Sequence, residues 1–366
     1  MLIASVARMR ISTVLVALLG ATTTALAAPP KLTKVASFKH QVTGVTVARD
    51  GRIFVNFPRW TEDSEVSVGE LKNGVVTPFP DAEWNAWRNA KKDQVSPKNH
   101  WVCVQSVVAD PKGNLWVLDP AAPAMGGVVK DGPKLVEIDL ATNKPGRVIA
   151  FTDAVAPQGS YLNDVRFSPD GATAYITDSG AKGAIVVVDL ATGKAKRVLD
   201  GDPSTQPDPT VTVTADGKPL RRPDGRGVEF AADGIALSVD GKTLYWQAIR
   251  GKTVYRAPTA ALAAGTAKPE VVGENGPADG LWIAKSDGRM YITSPQDSSI
   301  KVRDLAGGEP TVLLKDARLR WPDTMSEGPD GTLYVTTSRI QDSAFFKPKA
   351  PIALPTELWS FKPATK

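Results

Sequence analysis

Six positions in this 366-residue chain could do chemistry together, and a recurring glycine marks them. Gly51, Gly113, Gly171, Gly241, Gly288 and Gly331 stand in the contexts ARDGRIFVNF, DPKGNLWVLD, SPDGATAYITD, SVDGKTLYWQ, KSDGRMYITS and GPDGTLYVTT. Eight residues before each, or nine before the fifth, stand Thr43, Gln105, Asn163, Asp233, Asp279 and Asp323. These are three carboxylates, two amides and one hydroxyl at equivalent points of a repeat. Gathered on a narrow axis, three carboxylates repel one another and need a cation, a shared proton or solvent. A hard metal ion with oxygen ligands meets that need, Ca²⁺ first and Mg²⁺ or Mn²⁺ next. An organic ammonium group meets it equally. All six positions are therefore read as ligand-binding. Asp-Gly and Asn-Asp pairs also form Asx turns, which accounts for any one position but not for six in register.

Other chemistry has few residues to draw on. His40 and His100 are the only histidines, and no G-x-S-x-G, H-E-x-x-H or phosphate-binding loop is present. No catalytic residue and no organic cofactor is assigned. His40 lies three residues before Thr43, within reach of the ring, although a solvated strand end suits it as well. Cys103, the only cysteine, rules out an intrachain disulfide and reads as a buried, inert thiol on an apolar strand from Trp101 to Val108.

Small β elements must carry these positions. Tyr161 to Gly193 shows the pattern: a strand through Asn163-Asp164, Val165 and Phe167, then a turn at Pro169 to Gly171. Strands over Thr173 to Thr177, Ala184 to Asp189 and Lys196 to Leu199 follow. Asp-Gly between alternating apolar runs is a hairpin signal, because glycine takes a positive φ without steric cost. The glycines recur at intervals of 62, 58, 70, 47 and 43 residues, long enough for four strands and variable insertions. The chain ends after only three strands of its sixth unit, and Leu32 to Phe38 supplies the missing one. The expectation is an all-β fold, a six-bladed β-propeller with four antiparallel strands per blade, its ring closed by an N-terminal strand. Two segments exceed the repeat. Pro58 to Trp101 holds Trp60, Trp84, Trp87 and Trp101, as lid residues or as a small core of its own; Gly201 to Ala232 is rich in Asp, Pro and Gly. Ala260 to Ala264 suits a short turn of helix.

Residues 1–27 read as a signal peptide, with Arg8 and Arg10 before the apolar run Ile11 to Gly20 and a small-x-small site at Ala25-Leu26-Ala27. Residues 28–366 then form one domain, secreted or periplasmic and free of membrane. The formal charge of +5 falls to +3 once the two leader arginines are removed. That excess is too mild and too dispersed for a nucleic-acid partner. A monomer binding a small molecule is expected.

The runs LNDVRF, AYITDSG, IVVVDLATGKAKRVLD, DGIALSVDGKTLYWQAIRGKTVYRAPTAAL, GPADGLWI and RLRWPDTMSEGPDGTLYVTTS resemble the major royal jelly protein / yellow family. PFPDAEWNAW and VQSVVADPKGNLWVLDPA extend the likeness, which runs from about Phe54 to Phe346. It implies a secreted six-bladed propeller that binds small molecules, biogenic amines among them, in its central cavity. A more distant resemblance is to the gluconolactonase/regucalcin group, metal-dependent lactonases of the same architecture. That likeness places metal ligands at Asn163, Asp233 and Asp279: Asn163 matches their Asn-Asp pair, Asp233 replaces the Asn of Asn-Gly, and Asp279 matches their Asp-Gly. Thr43 departs from it, standing where their Glu-Gly motif has a carboxylate. A metal-dependent lactonase is therefore the alternative function, and a protein-interaction scaffold a third.

Overall fold

A computed structural model describes residues 29–352 and 354–363. The expected leader lies outside the described residues. Among the described residues the chain builds six four-stranded antiparallel sheets, one short two-stranded hairpin and a single α-helix, Thr259–Ala264. The third blade is typical, with strands Leu162–Phe167, Thr173–Asp178, Ala184–Asp189 and Ala195–Val198 in sequence order. Its bounds depart from the sequence expectation by a residue or so.

The inner strands of the blades are Val45–Val47, Ser106–Ala109, Leu162–Phe167, Ala232–Leu237, Leu281–Ile283 and Pro322–Glu327. Each touches the next, and the sixth touches the first, so the ring is closed. The seam lies in the sixth blade, where Thr33–Phe38 pairs with Thr356–Phe361. This is the expected N-terminal closure, and it removes an open sheet edge.

Burial on both faces explains the continuous apolar runs. Ile185 and Val187 pack toward the fourth blade with Ile235, Leu244 and Trp246. Val186 and Val188 point the other way, into a layer with Trp116, Leu118 and Leu135 of the second blade. Each such side chain contributes about 1.5–3 kcal/mol on burial. Outer strands such as Ala195–Val198 are half-buried or exposed, and their sequences are correspondingly polar. The six turn-glycines all have positive φ, from 64° at Gly171 to 91° at Gly113. In five of these turns an aspartate, such as Asp170 or Asp240, accepts the N–H two residues on.

Buried polar groups tie blade ends together. Asp119 accepts from the amides of Val102 (2.7 Å) and Cys103 (3.0 Å) and pairs with Lys134 at 3.0 Å. Asp178 does the same in the third blade, accepting from the Tyr161 amide at 2.7 Å and pairing with Arg197 at 2.5 Å. Cys103 is buried as expected, and burial pushes its thiol up to about 12. It does not lie on a strand, however. The second blade's inner strand starts at Ser106, because the backbone before it bonds to the Asp119 carboxylate instead of a ladder.

Candidate functional site

Gln105, Asn163, Asp233, Asp279 and Asp323 line one small chamber at the end of the channel where the inner strands begin. In three blades the ladder slips at this point: the register shifts between Leu162 and Val165, between Ala232 and Gly234, and between Pro322 and Met325. Such a bulge re-aims one side chain, which here turns Asn163, Asp233 and Asp323 to the axis. Thr43 is not brought in. It is fully buried in the channel wall, where its hydroxyl accepts from Asn56 Nδ2 at 2.9 Å.

The three carboxylates have neutral partners only. Asn163 Nδ2 donates to Asp233 Oδ1 (2.8 Å), Trp321 Nε1 to Asp279 Oδ2 (2.6 Å), and Thr324 Oγ1 to Asp323 Oδ1 (3.2 Å). No cation pairs with them among the described residues. Three other buried aspartates are neutralised, Asp119 by Lys134, Asp164 by Arg166 at 2.9 Å and Asp178 by Arg197, whereas Asp110 is met by four backbone, amide and indole N–H donors. Burial, with the charges of Asp279 and Asp323, pushes Asp233 well above the usual carboxylate range. Burial lifts Asp279 to about 7, against the hydrogen bonds from Trp321 and Asp233. Asp323 is also raised well above the range, by burial and then by Asp279. Asp233 and Asp279 thus hold a proton in common.

The donor set is chemically suited to a hard cation. Among the described residues no group of three or more His, Cys, Asp or Glu is placed to hold a metal ion. Within the expected ligand set of Asn163, Asp233 and Asp279, each residue also takes part in an internal hydrogen bond. Asn163 points its N–H at Asp233, and Asp279 accepts from the Trp321 indole.

The chamber is small, about 20 Å³, room for one water-sized group. Trp60, Tyr161 and Phe230 wall it, with Ile249 and Ile340. Trp60 Nε1 donates to the Tyr161 hydroxyl (2.5 Å), which donates to Gln105 Oε1 (3.0 Å). A wider cavity of about 520 Å³ adjoins it, and Tyr161, Ser179 and Phe230 line both. The two insertions meet over this mouth in one apolar cluster, with Trp60 from the first and Val213, Leu220 and Val228 from the second. Arg320 fastens the second insertion, bonding both oxygens of Asp216 at 2.8 Å. The tryptophans of the first insertion divide. Trp87 and Trp101 are core, Trp84 is half-buried against Trp101, and Trp60 alone reaches the chamber.

Tyr161 and Trp321 were not singled out as site residues from the sequence. Each lies two residues before a ring position; alternation along an extended chain places Tyr161 on the ring's side, whereas Trp321 has a φ of +54° and reaches the chamber by a turn of its backbone. His40 does not reach the chamber; its Nδ1 lies 2.6 Å from Glu62 Oε2. The Glu62 hydrogen bond raises the His40 pKa above its ordinary 6.5. The resulting stability is complete below that value and is lost as pH rises through the raised one. His40→Gln is expected to flatten the stability–pH curve above neutrality, by less than about 1 kcal/mol after solvent screening. Urea denaturation at several pH values measures this, and an unchanged slope would show that the pair contributes nothing.

A family model described as major royal jelly protein matches residues 102–340, more than half of the chain. Comparison with curated protein sequences gives no match. Solved structures share the fold at low identity. A gluconolactonase from Xanthomonas campestris aligns with TM-score 0.57 at 13% identity, covering 93% of each chain. A luciferin-regenerating enzyme aligns with TM-score 0.57 at 12% identity, covering 91% of this chain and 95% of its own. A calcium-binding regucalcin from Agrobacterium tumefaciens gives 0.53 at 18% identity, covering 89% and 92%.

Proposed function

We propose, from the premise that this chain belongs to the major royal jelly protein family, that it binds a small organic cation in its central channel. The ammonium group enters the acid chamber, and the rest of the molecule lies in the adjoining cavity. One observation carries this reading: Asp233, Asp279 and Asp323 are buried with no cation, while Asp119, Asp164 and Asp178 each have one. An ammonium matches the chamber in size. The faces of Trp60, Tyr161 and Phe230 add the electrostatic attraction of an aromatic wall for a cation. Export of the mature chain belongs to the same reading, since the leader pattern is the sequence's own evidence for where the ligand is met.

Binding must displace protons from the shared carboxyl pair, so affinity rises with pH. Calorimetric titration with phenethylammonium is expected to give at least about tenfold tighter binding at about pH 8 than at about pH 5. The absence of binding at both pH values, by this and a panel of alkylammonium ions, would falsify the reading. Titration with Ca²⁺ in parallel tests the inorganic cation. Preferential Ca²⁺ binding would transfer the site to a metal.

A hydrolase is the second reading, favoured by Asp279, whose pKa of about 7 suits a general base. A panel of sugar and aryl lactones, with and without chelator and added Ca²⁺, decides it; turnover no faster than buffer removes it. The scaffold reading has less to stand on. The exposed large hydrophobics Val75, Val148, Val271 and Val312 lie singly on the outer strands of different blades.

A further inference from the structure

The wider cavity carries an imbalance of the opposite sign. Arg222 and Arg250 both line it. Arg222 lies over the Phe230 ring at 5.8 Å, and its Nε is buried with no hydrogen-bond partner. Arg250 gives Nε to the Val211 carbonyl (3.1 Å) and one terminal nitrogen to the Pro209 carbonyl (2.8 Å). Neither has a carboxylate partner among the described residues, whereas Arg52, Arg197 and Arg320 pair with Glu70, Asp178 and Asp216. The one acid on this wall, Glu229, is exposed and faces Arg226 at 3.6 Å. Phe230 belongs to both cavities, with Arg222 stacked on it and the chamber at its edge. Gly159 and Gly180 form part of the wall without side chains. At Gly180 a Cβ would fall 2.2 Å from the Gly159 carbonyl oxygen, so this stretch of wall is held as bare backbone.

We propose that Arg222 and Arg250 form an anion subsite, and that the ligand is bifunctional: an ammonium group in the acid chamber joined by a spacer to an anionic group, carboxylate or phosphate, in the vestibule. Planar guanidinium groups suit either oxyanion. The spacer must pass Tyr161 and the Phe230 ring, so the two charges are several bonds apart. An α-amino acid, with its ammonium and carboxylate on one carbon, cannot serve both subsites. The aromatic walls favour an apolar spacer. This inference rests on the reading of the acid chamber as an ammonium site.

The test compares unbranched alkylamines with the ω-amino acids of the same chain length, and with the ω-aminoalkyl phosphates, by calorimetric titration of the mature protein. At one spacer length the bifunctional ligand is expected to bind roughly tenfold tighter than its amine. In Arg222→Gln that gain falls to within about twofold, with thermal unfolding confirming the fold. The carboxylate and phosphate arms identify the anion. If amines bind but no spacer length shows a gain, or if the gain survives Arg222→Gln, the anion subsite is overturned and the ammonium site stands. If no amine binds, the chamber reading fails separately. The subsite is then judged on the alkyl carboxylates and phosphates alone, whose Arg222-dependent binding sustains it and whose absence ends it.

Discussion

Asp233→Asn is expected to make the ligand-free protein more stable at neutral pH and at the same time to abolish most of its affinity for an organic ammonium. In the native chamber Asp233 Oδ1 accepts from the Asn163 amide at 2.8 Å, and Asp233 and Asp279 hold a proton in common. An asparagine amide reproduces that pattern, its oxygen accepting from Asn163 and its nitrogen donating to Asp279. The difference is that its proton cannot leave. Burial and the neighbouring carboxylates raise Asp233 well above its ordinary 3.8. Between those two values the folded protein holds a proton that the unfolded chain has lost. Stability therefore falls as pH rises through this window, by about 1.4 kcal/mol per pH unit for each such proton. The variant lacks this group's share of the slope, so its advantage opens above pH 4 or so and grows toward neutrality. Denaturant midpoints from acid to neutral pH measure the effect, and a variant less stable than wild type at neutral pH would contradict it.

The binding half of the prediction follows from the same charge. An ammonium ion entering the chamber is offset by ionisation of the shared Asp233–Asp279 pair. Removing one carboxylate from a desolvated charge contact is expected to cost about 3 kcal/mol, near a hundredfold in affinity. Stability gained and binding lost in one substitution is the mark of a site held at a cost to the fold. A buried aspartate with a structural partner behaves in the opposite way: neutralising Asp119 would leave the buried Lys134 ammonium without its carboxylate and destabilise at every pH where both are charged.

Much of this architecture is visible in the chain. The β-branched runs, the Asp-Gly turns and their spacing determine six blades, because a strand buried on both faces must be apolar at every position. The ring positions follow from the same count, since a residue at a fixed distance from a fixed turn falls at a fixed height. Thr43 obeys the count and still does not reach the chamber. Its partner Asn56 is thirteen residues away, a contact that spacing along one strand does not contain. The roof is harder still. Trp60, Tyr161, Phe230 and Ile340 come from four separate segments, and their meeting depends on where two insertions fold back, which no repeat specifies. The metal ligands named from the sequence add a point about orientation. Residue types at Asn163, Asp233 and Asp279 suit a cation, but the direction in which the amide and indole N–H groups point is a tertiary outcome.

Gly280→Ala is expected to unfold far more readily than Gly288→Ala, although both glycines accompany an aspartate in the same blade. The Asp279-Gly280 pair belongs to the ring pattern, but its glycine is required by the neighbouring blade. A Cβ at Gly280 would fall 2.2 Å from the Asp323 carbonyl oxygen, and at Gly234 the same distance from the Asp279 carbonyl oxygen. Asp279 and Asp323 thus each pack their backbone against the glycine of the blade before. The obstacle is main chain inside a closed ring, so it cannot swing away as a side-chain tip would. Overpacking of this kind is expected to cost about 3 kcal/mol. It would also displace Asp323 from the chamber and weaken ammonium binding. At Gly288, by contrast, φ is +69° and nothing lies within 4 Å of the added carbon, so only the left-handed backbone is penalised, at about 1–2 kcal/mol. Urea denaturation of the two variants side by side measures the difference. Equal costs would mean that the inner strands can move apart, and that the acid ring is not held at a fixed radius by its glycines.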